Sequence, residues 1–331
     1  MQEARFYEKL EGGRVWCHLC PQSCRISPGH VGFCRARKNE GGVLCTLNYG
    51  RISAWGIDPI EKKPLYHFYP GTQIFSVGTF GCNFHCGFCQ NWQIAHGEPL
   101  TQTCSPAELV EIACRAEERS GSIGIAYTYS EPMIWYEYVC DAAKLAREKG
   151  LKNVLVTNGS VEEEPLRELL PYVDAMNIDV KAFTEDFYRE ICRGKLGPVL
   201  RTVEIAYSRC HVEITNLIVP TKNDAEGEIA ALVDWIASLD PAIPLHFSRY
   251  FPQYRFNLPP TPLATLKKAR EIALKKLKYV YIGNAPELGE DDTFCPNCRN
   301  LLIERTGYRT TVTGLRERRC TQCGREIEIV N

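Results

Sequence analysis

Apolar, β-branched stretches alternate with amphipathic stretches through the middle of the chain. The apolar stretches are short and bounded by turn residues, a pattern typical of buried strands. Strands are therefore predicted at residues 74–79, 123–128, 153–157, 175–180, 212–219 and 244–249, with a shorter one at 279–282.

The stretches between these strands have helical periodicity. One helix has a clear start, because Ser105, Pro106 and Glu108 form an N-cap, a first-turn proline and a capping-box glutamate. Helices are predicted at 105–119, 132–150, 165–170, 184–192, 198–209, 224–238 and 262–278.

Six successive strand–helix units imply parallel strands joined by right-handed crossovers. We therefore predict an α/β fold, a partial (β/α)6 TIM-like barrel, over residues 71–285. An open doubly wound sheet is the alternative, but the chain lacks the glycine-rich dinucleotide fingerprint that would favour it.

Cysteine-rich segments flank this barrel, at residues 1–70 and 286–331. In the second, two C-x2-C pairs enclose a predicted strand pair at 301–305 and 310–313. Such knuckles predict a zinc-ribbon-like domain, since so short a segment cannot bury a sufficient core without a metal. Its predicted zinc ligands are Cys295, Cys298, Cys320 and Cys323.

The N-terminal segment 1–70 has its own group of four cysteines, Cys17, Cys20, Cys24 and Cys34. Four thiolates can hold either Zn²⁺ or a second iron–sulfur cluster. We favour zinc here, because nothing in the pattern leaves a coordination position open.

Composition limits the ligand classes and the cellular compartment expected for this chain. The chain has 331 residues, 44% of them hydrophobic, and a formal net charge of −1, which gives no general attraction for nucleic acid or membranes. The chain has 17 cysteines, and the C-x2-C spacings among them favour metal binding in a reducing compartment over disulfides. No signal-peptide pattern and no bilayer-length apolar run is visible, so we expect a cytoplasmic protein.

Three cysteines in one loop carry the most specific signal. Cys82, Cys86 and Cys89 follow the first predicted strand with the spacing C-x3-C-x2-C. Three thiolates can hold three irons of a [4Fe–4S] cluster, which leaves the fourth iron free to bind a small molecule. A zinc site or a disulfide knot is the alternative.

Polar residues also gather where the predicted strands end, and parallel barrels place their chemistry at that edge. The candidates are Glu131, Asn158, Asp179, Lys181 and His246. Each has a plainer alternative: a helix N-terminal acid for Glu131, a turn for Asn158, an ion pair for Asp179 and Lys181, and a core histidine for His246.

The cysteine loop, with Phe88 just before its last cysteine, resembles that of the radical SAM enzymes, and residues 71–285 are similar to those related to pyruvate formate-lyase activating enzymes. The resemblance implies that the open iron binds S-adenosylmethionine (SAM) and that Glu131 binds its ammonium group. It implies that Phe88 lies beside the adenine and His246 near the adenosyl group, and that Asn158, Asp179 and Lys181 line the same site.

Residues from about 15 to 285 also resemble the radical SAM protein of the AmmeMemoRadiSam system. That resemblance implies association with Memo-type and AMMECR-type proteins. A low-potential cluster further implies a ferredoxin- or flavodoxin-like electron donor.

These features together predict reductive cleavage of SAM to a 5′-deoxyadenosyl radical that activates or modifies a protein, as glycyl-radical activases do. One alternative substrate is a small metabolite, lipid or nucleic-acid base. The alternative without catalysis is a multi-zinc binding module.

Overall fold

Eight strands form the central sheet in the computed structural model, which describes residues 2–331. They are hydrogen-bonded in chain order, and the seven strands from β2 to β8 run parallel to one another. The strands are β1 (Ala54–Pro59), β2 (Gln73–Gly78), β3 (Ser122–Tyr127), β4 (Lys152–Thr157), β5 (Ala175–Asp179), β6 (His211–Ile218), β7 (Leu245–Arg249) and β8 (Val280–Gly283). The predicted parallel α/β sheet is thus confirmed, and β1 and β8 are its two open edges.

Six longer helices connect and cover the parallel strands. Each buries one apolar face against the sheet, so that the main hydrophobic core lies between the helices and the strands. The helices are α1 (Pro106–Ser120), α2 (Tyr136–Glu148), α3 (Glu163–Leu169), α4 (Leu196–Tyr207), α5 (Glu226–Leu239) and α6 (Leu263–Ala273).

The start of α1 forms as its sequence predicts. Ser105 Oγ accepts a hydrogen bond from the Glu108 backbone N–H, and the Glu108 carboxylate accepts one from the Ser105 backbone N–H. The stretch 184–192 departs from the prediction, since a three-residue helix at Glu185–Phe187 gives way to a π-helical turn at Tyr188–Cys192.

The edge strand β1 was not predicted. It runs antiparallel to β2, with Trp55 opposite Val77 and Ile57 opposite Phe75. Its residues come from the segment 1–70, so residues on both sides of that boundary form the central sheet.

The rest of the N-terminal segment consists of short antiparallel strands, including Tyr7–Lys9, Val15–Cys17, Arg37–Glu40 and Val43–Thr46. A buried ion pair fixes them to the barrel: Arg37 donates two hydrogen bonds, of 2.7 and 2.9 Å, to the carboxylate of Glu137 in α2.

The C-terminal segment forms a three-stranded antiparallel sheet from Thr293–Phe294, Leu301–Thr306 and Arg309–Val312. It packs on the barrel near Tyr66, whose carbonyl accepts a 2.8 Å hydrogen bond from Arg305. Between residues 2 and 331, no helix combines the length and apolar character that crossing a membrane requires.

Candidate functional site

A cavity opens at the carboxyl ends of the parallel strands, where the sequence predicted the site. It encloses about 1040 Å³, including the part open to solvent. Residues from the cysteine loop and from the ends of β3 to β7 line it: Cys82, Phe84, Cys86, Phe88, Cys89, Gln90, Asn91, Ala95, His96, Thr128, Tyr129, Ser130, Glu131, Val156, Thr157, Asn158, Asp179, Lys181, Thr215, Leu217 and Ser248.

Backbone hydrogen bonds hold the cysteine loop against the π-helical turn. His85 N–H donates to the Cys192 carbonyl at 2.8 Å, and Gly87 N–H donates to Ile191 at 3.2 Å. The loop begins at Gly81, which has a φ of +93° and where a Cβ atom would lie only 2.7 Å from the Cys34 carbonyl oxygen. Glycine is therefore required where the loop leaves β2.

The three loop cysteines all reach the cavity as free thiols. Burial raises the pKa of Cys89 to about 11 and that of Cys82 well above its usual value. Thiols in this state lose their protons when a metal binds, because thiolate is the form that ligates. The disulfide alternative is excluded for this structure.

Glu131 is the buried carboxylate of the site, only 2% exposed. It accepts hydrogen bonds from Thr157 Oγ1 at 2.6 Å, from Asn158 N–H at 2.8 Å and from Met133 N–H at 2.9 Å. Burial raises the pKa of Glu131 to about 7, although these donors act to lower it. A cationic ligand in the cavity would favour the ionised form.

The other predicted residues of the cavity form a connected polar wall. Lys181 Nζ lies 2.7 Å from Asp179 Oδ2, so their ion pair forms and faces the cavity. Asn158 Nδ2 donates to Asn83 Oδ1 at 2.9 Å and lies 3.6 Å from Cys82 Sγ. The polar groups of β4 and β5 are thus next to the cysteine loop.

Phe88 supplies an apolar wall of the cavity. Its ring packs edge-on against Phe256, with ring centroids 5.9 Å apart, and it is 5% exposed. The position fits a planar group that enters beside the loop.

His246 is not among the residues that line the cavity. Its Nε2 lies 2.6 Å from Oε2 of Glu213, which is fully buried and also accepts hydrogen bonds from the backbone of Tyr66 and His67. The reason is depth: His246 is the second residue of β7, while Ser248, two residues further on, reaches the cavity.

The lining also includes Thr157, Thr215 and Ser248, which lie at predicted strand ends but were not singled out as site residues, and His96, which sequence reasoning missed. Three of these follow from the alternation of side chains along strands once the cavity edge is known, since Thr215 and Leu217 share a face. His96 ends the short helix Trp92–Ala95 after the cysteine loop, and no pattern in the sequence marks it.

The C-terminal cysteines form a compact group away from this cavity. The Sγ atoms of Cys295, Cys298, Cys320 and Cys323 all lie within 4.8 Å of one another. A backbone N–H from Arg325 lowers the pKa of Cys323 to about 6, which favours its thiolate. Four sulfurs this close can bind one metal ion tetrahedrally.

Comparison with known proteins identifies the class. The Radical SAM superfamily matches residues 76–236, from β2 through most of α5. The chain is also 46% identical to the uncharacterized protein MJ0808 of Methanocaldococcus jannaschii, over the full length of both proteins.

A second relative is the pyruvate formate-lyase-activating enzyme of Clostridium pasteurianum, 30% identical over 179 residues that make up 51% of this chain and 72% of the relative. The chain therefore belongs to the radical SAM superfamily, and it is homologous to this activating enzyme. Members of the superfamily are enzymes that use a [4Fe–4S] cluster and SAM.

Among solved structures, SuiB of Streptococcus suis bound to S-adenosylmethionine matches with a TM-score of 0.52 and 14% identity, over 68% of this chain and 53% of SuiB. This likeness concerns the fold, and it is consistent with a partial barrel of parallel strands.

Proposed function

We propose that this protein binds a [4Fe–4S] cluster through Cys82, Cys86 and Cys89 and cleaves SAM reductively in the cavity beside it. The observation that supports this most directly is the meeting of three free thiols with a buried carboxylate in one cavity. The chemistry of this set fits the group, because three thiolates leave one iron without a protein ligand.

In this proposal, Glu131 accepts a hydrogen bond from the ammonium group of SAM, and Thr157 and Asn158 hold the Glu131 carboxylate in place. Lys181 and Asp179 present one positive and one negative charge to the zwitterionic and ribose portions of the ligand. Phe88 lies against the adenine.

The bound cluster would supply the electron that breaks a C–S bond of SAM and yields a 5′-deoxyadenosyl radical, which abstracts hydrogen from the substrate. The barrel's contribution is to fix the ligand next to the cysteine loop and to exclude water with apolar groups such as Phe84, Phe88 and Leu217.

For the substrate we propose a protein. The support is homology to an enzyme named for activating pyruvate formate-lyase, and a cavity that opens to solvent rather than being sealed around a small ligand. A small metabolite, lipid or base is the second candidate. A non-catalytic zinc module has no support, since members of the superfamily are enzymes.

Anaerobic reconstitution with iron and sulfide tests the cleavage reaction. With a strong one-electron reductant, the protein should release 5′-deoxyadenosine from SAM, and Cys86→Ala should abolish this product. Cys114→Ala, a change in α1 away from the cavity, is the matched control. Product formation by Cys86→Ala would overturn the proposed role of the loop.

The substrate class can be tested with deuterium. Cells of the organism that makes this protein are grown in heavy water, and their extract is separated into protein and small-molecule fractions. Each fraction is incubated with the reconstituted enzyme. Deuterium in 5′-deoxyadenosine from the protein fraction alone supports a protein substrate, and transfer from the small molecules alone contradicts it.

The implied partners belong to the same proposal. Adding a ferredoxin, a flavodoxin, or Memo-type and AMMECR-type proteins to the deuterium assay should increase deuterium transfer if they act as donor or substrate partners. An unchanged yield with all of them would contradict these assignments.

A further inference from the structure

A second sulfur-lined cavity lies in the N-terminal segment, separate from the one that contains Glu131. Cys17, Cys20, Cys24 and Cys34 all line it, together with Arg37. It encloses about 310 Å³, including its opening, and three of the four cysteines are less than 9% exposed. The four residues that sequence analysis grouped by spacing are therefore brought around one space.

The separation of the sulfur atoms distinguishes this group from the C-terminal one. Around a single zinc ion, Zn–S bonds of 2.3 Å place tetrahedral sulfurs only about 3.8 Å apart. The C-terminal cysteines meet this condition, with Cys295 to Cys323 and Cys298 to Cys320 both at 3.6 Å. Within residues 2–331, theirs is the only set of three or more ligating side chains whose ligand atoms all lie within 4.8 Å of one another.

No three of the N-terminal sulfurs lie all within 4.8 Å of one another, and neither do the sulfurs of Cys82, Cys86 and Cys89, so both groups are more open here than one tetrahedral ion requires. In a [4Fe–4S] cluster the ligating sulfurs are held apart by the irons and sulfides between them. The same protein therefore contains one compact group suited to an ion and two open groups suited to clusters.

Hydrogen-bond donors at the second cavity support the same assignment. Arg37 is 1% exposed, and while its terminal nitrogens bind Glu137 and the Arg5 carbonyl, its Nε has no partner. A buried N–H donor without a partner destabilises the fold unless a bound group accepts a hydrogen bond from it. Phe33 N–H also approaches Cys24 Sγ at 3.5 Å. Donors directed at sulfur are a recurring feature that tunes iron–sulfur clusters.

We propose that Cys17, Cys20, Cys24 and Cys34 bind a second [4Fe–4S] cluster, rather than the zinc ion that the sequence alone favoured. Because four cysteines saturate its irons, this cluster cannot bind SAM or substrate, and its chemistry is one-electron transfer.

The position suits a relay to the first cluster. Gln22, which lines the second cavity, donates to the Asn83 carbonyl at 2.9 Å, and Asn83 directly follows Cys82. A ferredoxin- or flavodoxin-like donor would pass one electron to the second cluster. That cluster would then pass the electron to the first cluster and return to its oxidised state. This relay rests on the function proposed above, whereas the site itself does not.

Metal content of a variant without the first cluster tests the site. Full-length protein with Cys82→Ala, Cys86→Ala and Cys89→Ala, reconstituted without air, should retain about four irons and four sulfides per chain, against about eight of each in the wild type. On reduction it should show the electron paramagnetic resonance signal of a [4Fe–4S]⁺ cluster. Adding Cys20→Ala and Cys34→Ala should remove the remaining iron. Two zinc ions per chain and no iron in the triple variant, one ion more than the C-terminal cysteines can bind, would overturn the proposal.

Wild-type protein provides a measurement that does not depend on how variants fold. SAM should shift the resonance signal of one cluster and leave the other unchanged, because only one has an open iron. A single signal that SAM shifts completely would overturn the second site. If two signals appear but no 5′-deoxyadenosine forms, the proposed function fails while the second site stands.

Discussion

At the residue scale, the behaviour of Glu131 is set by two opposing effects. Burial disfavours its charge, whereas Thr157, two backbone N–H groups and the charge of Lys181 favour it. Burial is the larger effect, and the pKa of Glu131 rises to about 7. The carboxyl group is therefore balanced between its two states near neutral pH.

This balance predicts a pH-dependent affinity for SAM. The ammonium group binds the carboxylate but not the carboxylic acid, so the affinity of the reconstituted protein should increase as pH rises from about 6 to 8, through the pKa of Glu131. Glu131→Gln should weaken binding about tenfold or more at pH 8 and flatten the profile, because a charged hydrogen bond is lost.

Equilibrium binding of SAM across this pH range measures both effects. Glu117→Gln, an exposed change on α1, is the matched control and should behave as the wild type. If Glu131→Gln retained the wild-type pH profile, another group would be responsible for the titration.

A second prediction concerns His246. Its replacement by Leu removes a partner from the buried Glu213 carboxylate, so the free energy of unfolding should fall by about 3 kcal/mol. SAM affinity should change little, because Leu217 and Ser248, but not His246, line the cavity. Thermal unfolding and SAM binding, measured on the same samples, separate these effects. A large loss of affinity at unchanged stability would instead support the adenosyl-site role that the family resemblance implies.

At the scale of elements, Gly81 connects β2, the cysteine loop and the N-terminal cysteine group. An alanine there would need a φ of +93° and would place its Cβ 2.7 Å from the Cys34 carbonyl oxygen. Gly121, after α1, also has a positive φ, +66°, but faces open space. Two glycines with similar backbone constraints thus differ in their surroundings.

We expect Gly81→Ala to lower the free energy of unfolding by about 3 kcal/mol, since backbone strain adds to a clash with backbone atoms. Gly121→Ala should cost only about 1 kcal/mol, the strain alone. Denaturant unfolding of both variants measures the difference. Equal losses would show that the contact with Cys34 relaxes without cost.

The sequence predicted the elements whose pattern is local. Strands β4 and β5 are short, largely buried stretches that contain apolar residues such as Val154, Leu155 and Met176, and the α1 capping box is contained within four residues. Strand β1 escaped notice because its pattern is ambiguous: Trp55 is 63% exposed and Ile57 is 40% exposed, while the buried Asp58 pairs with Lys62 and Lys63.

The position of a side chain along its strand and the distances between side chains of the site could not be predicted from local sequence patterns. A two-residue alternation tells which face of β7 His246 occupies but not how far along the barrel it lies. Likewise, the spacing of Cys17, Cys20, Cys24 and Cys34 counts the thiols without giving their separation. The depth of His246 depends on a partner distant in sequence, Glu213, and the separation of the four thiols depends on how the whole N-terminal segment folds.

At the scale of the whole molecule, the C-terminal segment is fixed to the barrel by buried polar contacts. Arg305 donates hydrogen bonds to the carbonyls of Tyr66 and Asp291 and to Thr293 Oγ1. Val330 forms a bridge to Phe68, His67 Nδ1 lies 2.8 Å from the Glu328 carbonyl, and the Tyr281 hydroxyl lies 2.8 Å from Thr293 Oγ1. Loss of the C-terminal fold would leave these groups without partners, some of them deep inside the barrel.

Removing the C-terminal metal site should therefore destabilise the barrel as well as the segment. A short segment with little core depends on its metal, and Cys298→Ser with Cys323→Ser removes two of the four ligands. We expect this variant to bind one zinc ion fewer per chain and to lose several kcal/mol of stability in one cooperative transition.

Tryptophan fluorescence measures unfolding outside the C-terminal segment, because all five tryptophans lie before residue 286. Trp135 is 1% exposed next to the barrel, so a lower unfolding temperature seen by tryptophan emission means that the loss has spread beyond the C-terminal segment. Cys114→Ser keeps all three cysteine groups and should unfold as the wild type does. If the double variant lost its zinc while tryptophan unfolding stayed unchanged, the segment would be an independent module, and the buried contacts of Arg305 would not couple it to the barrel.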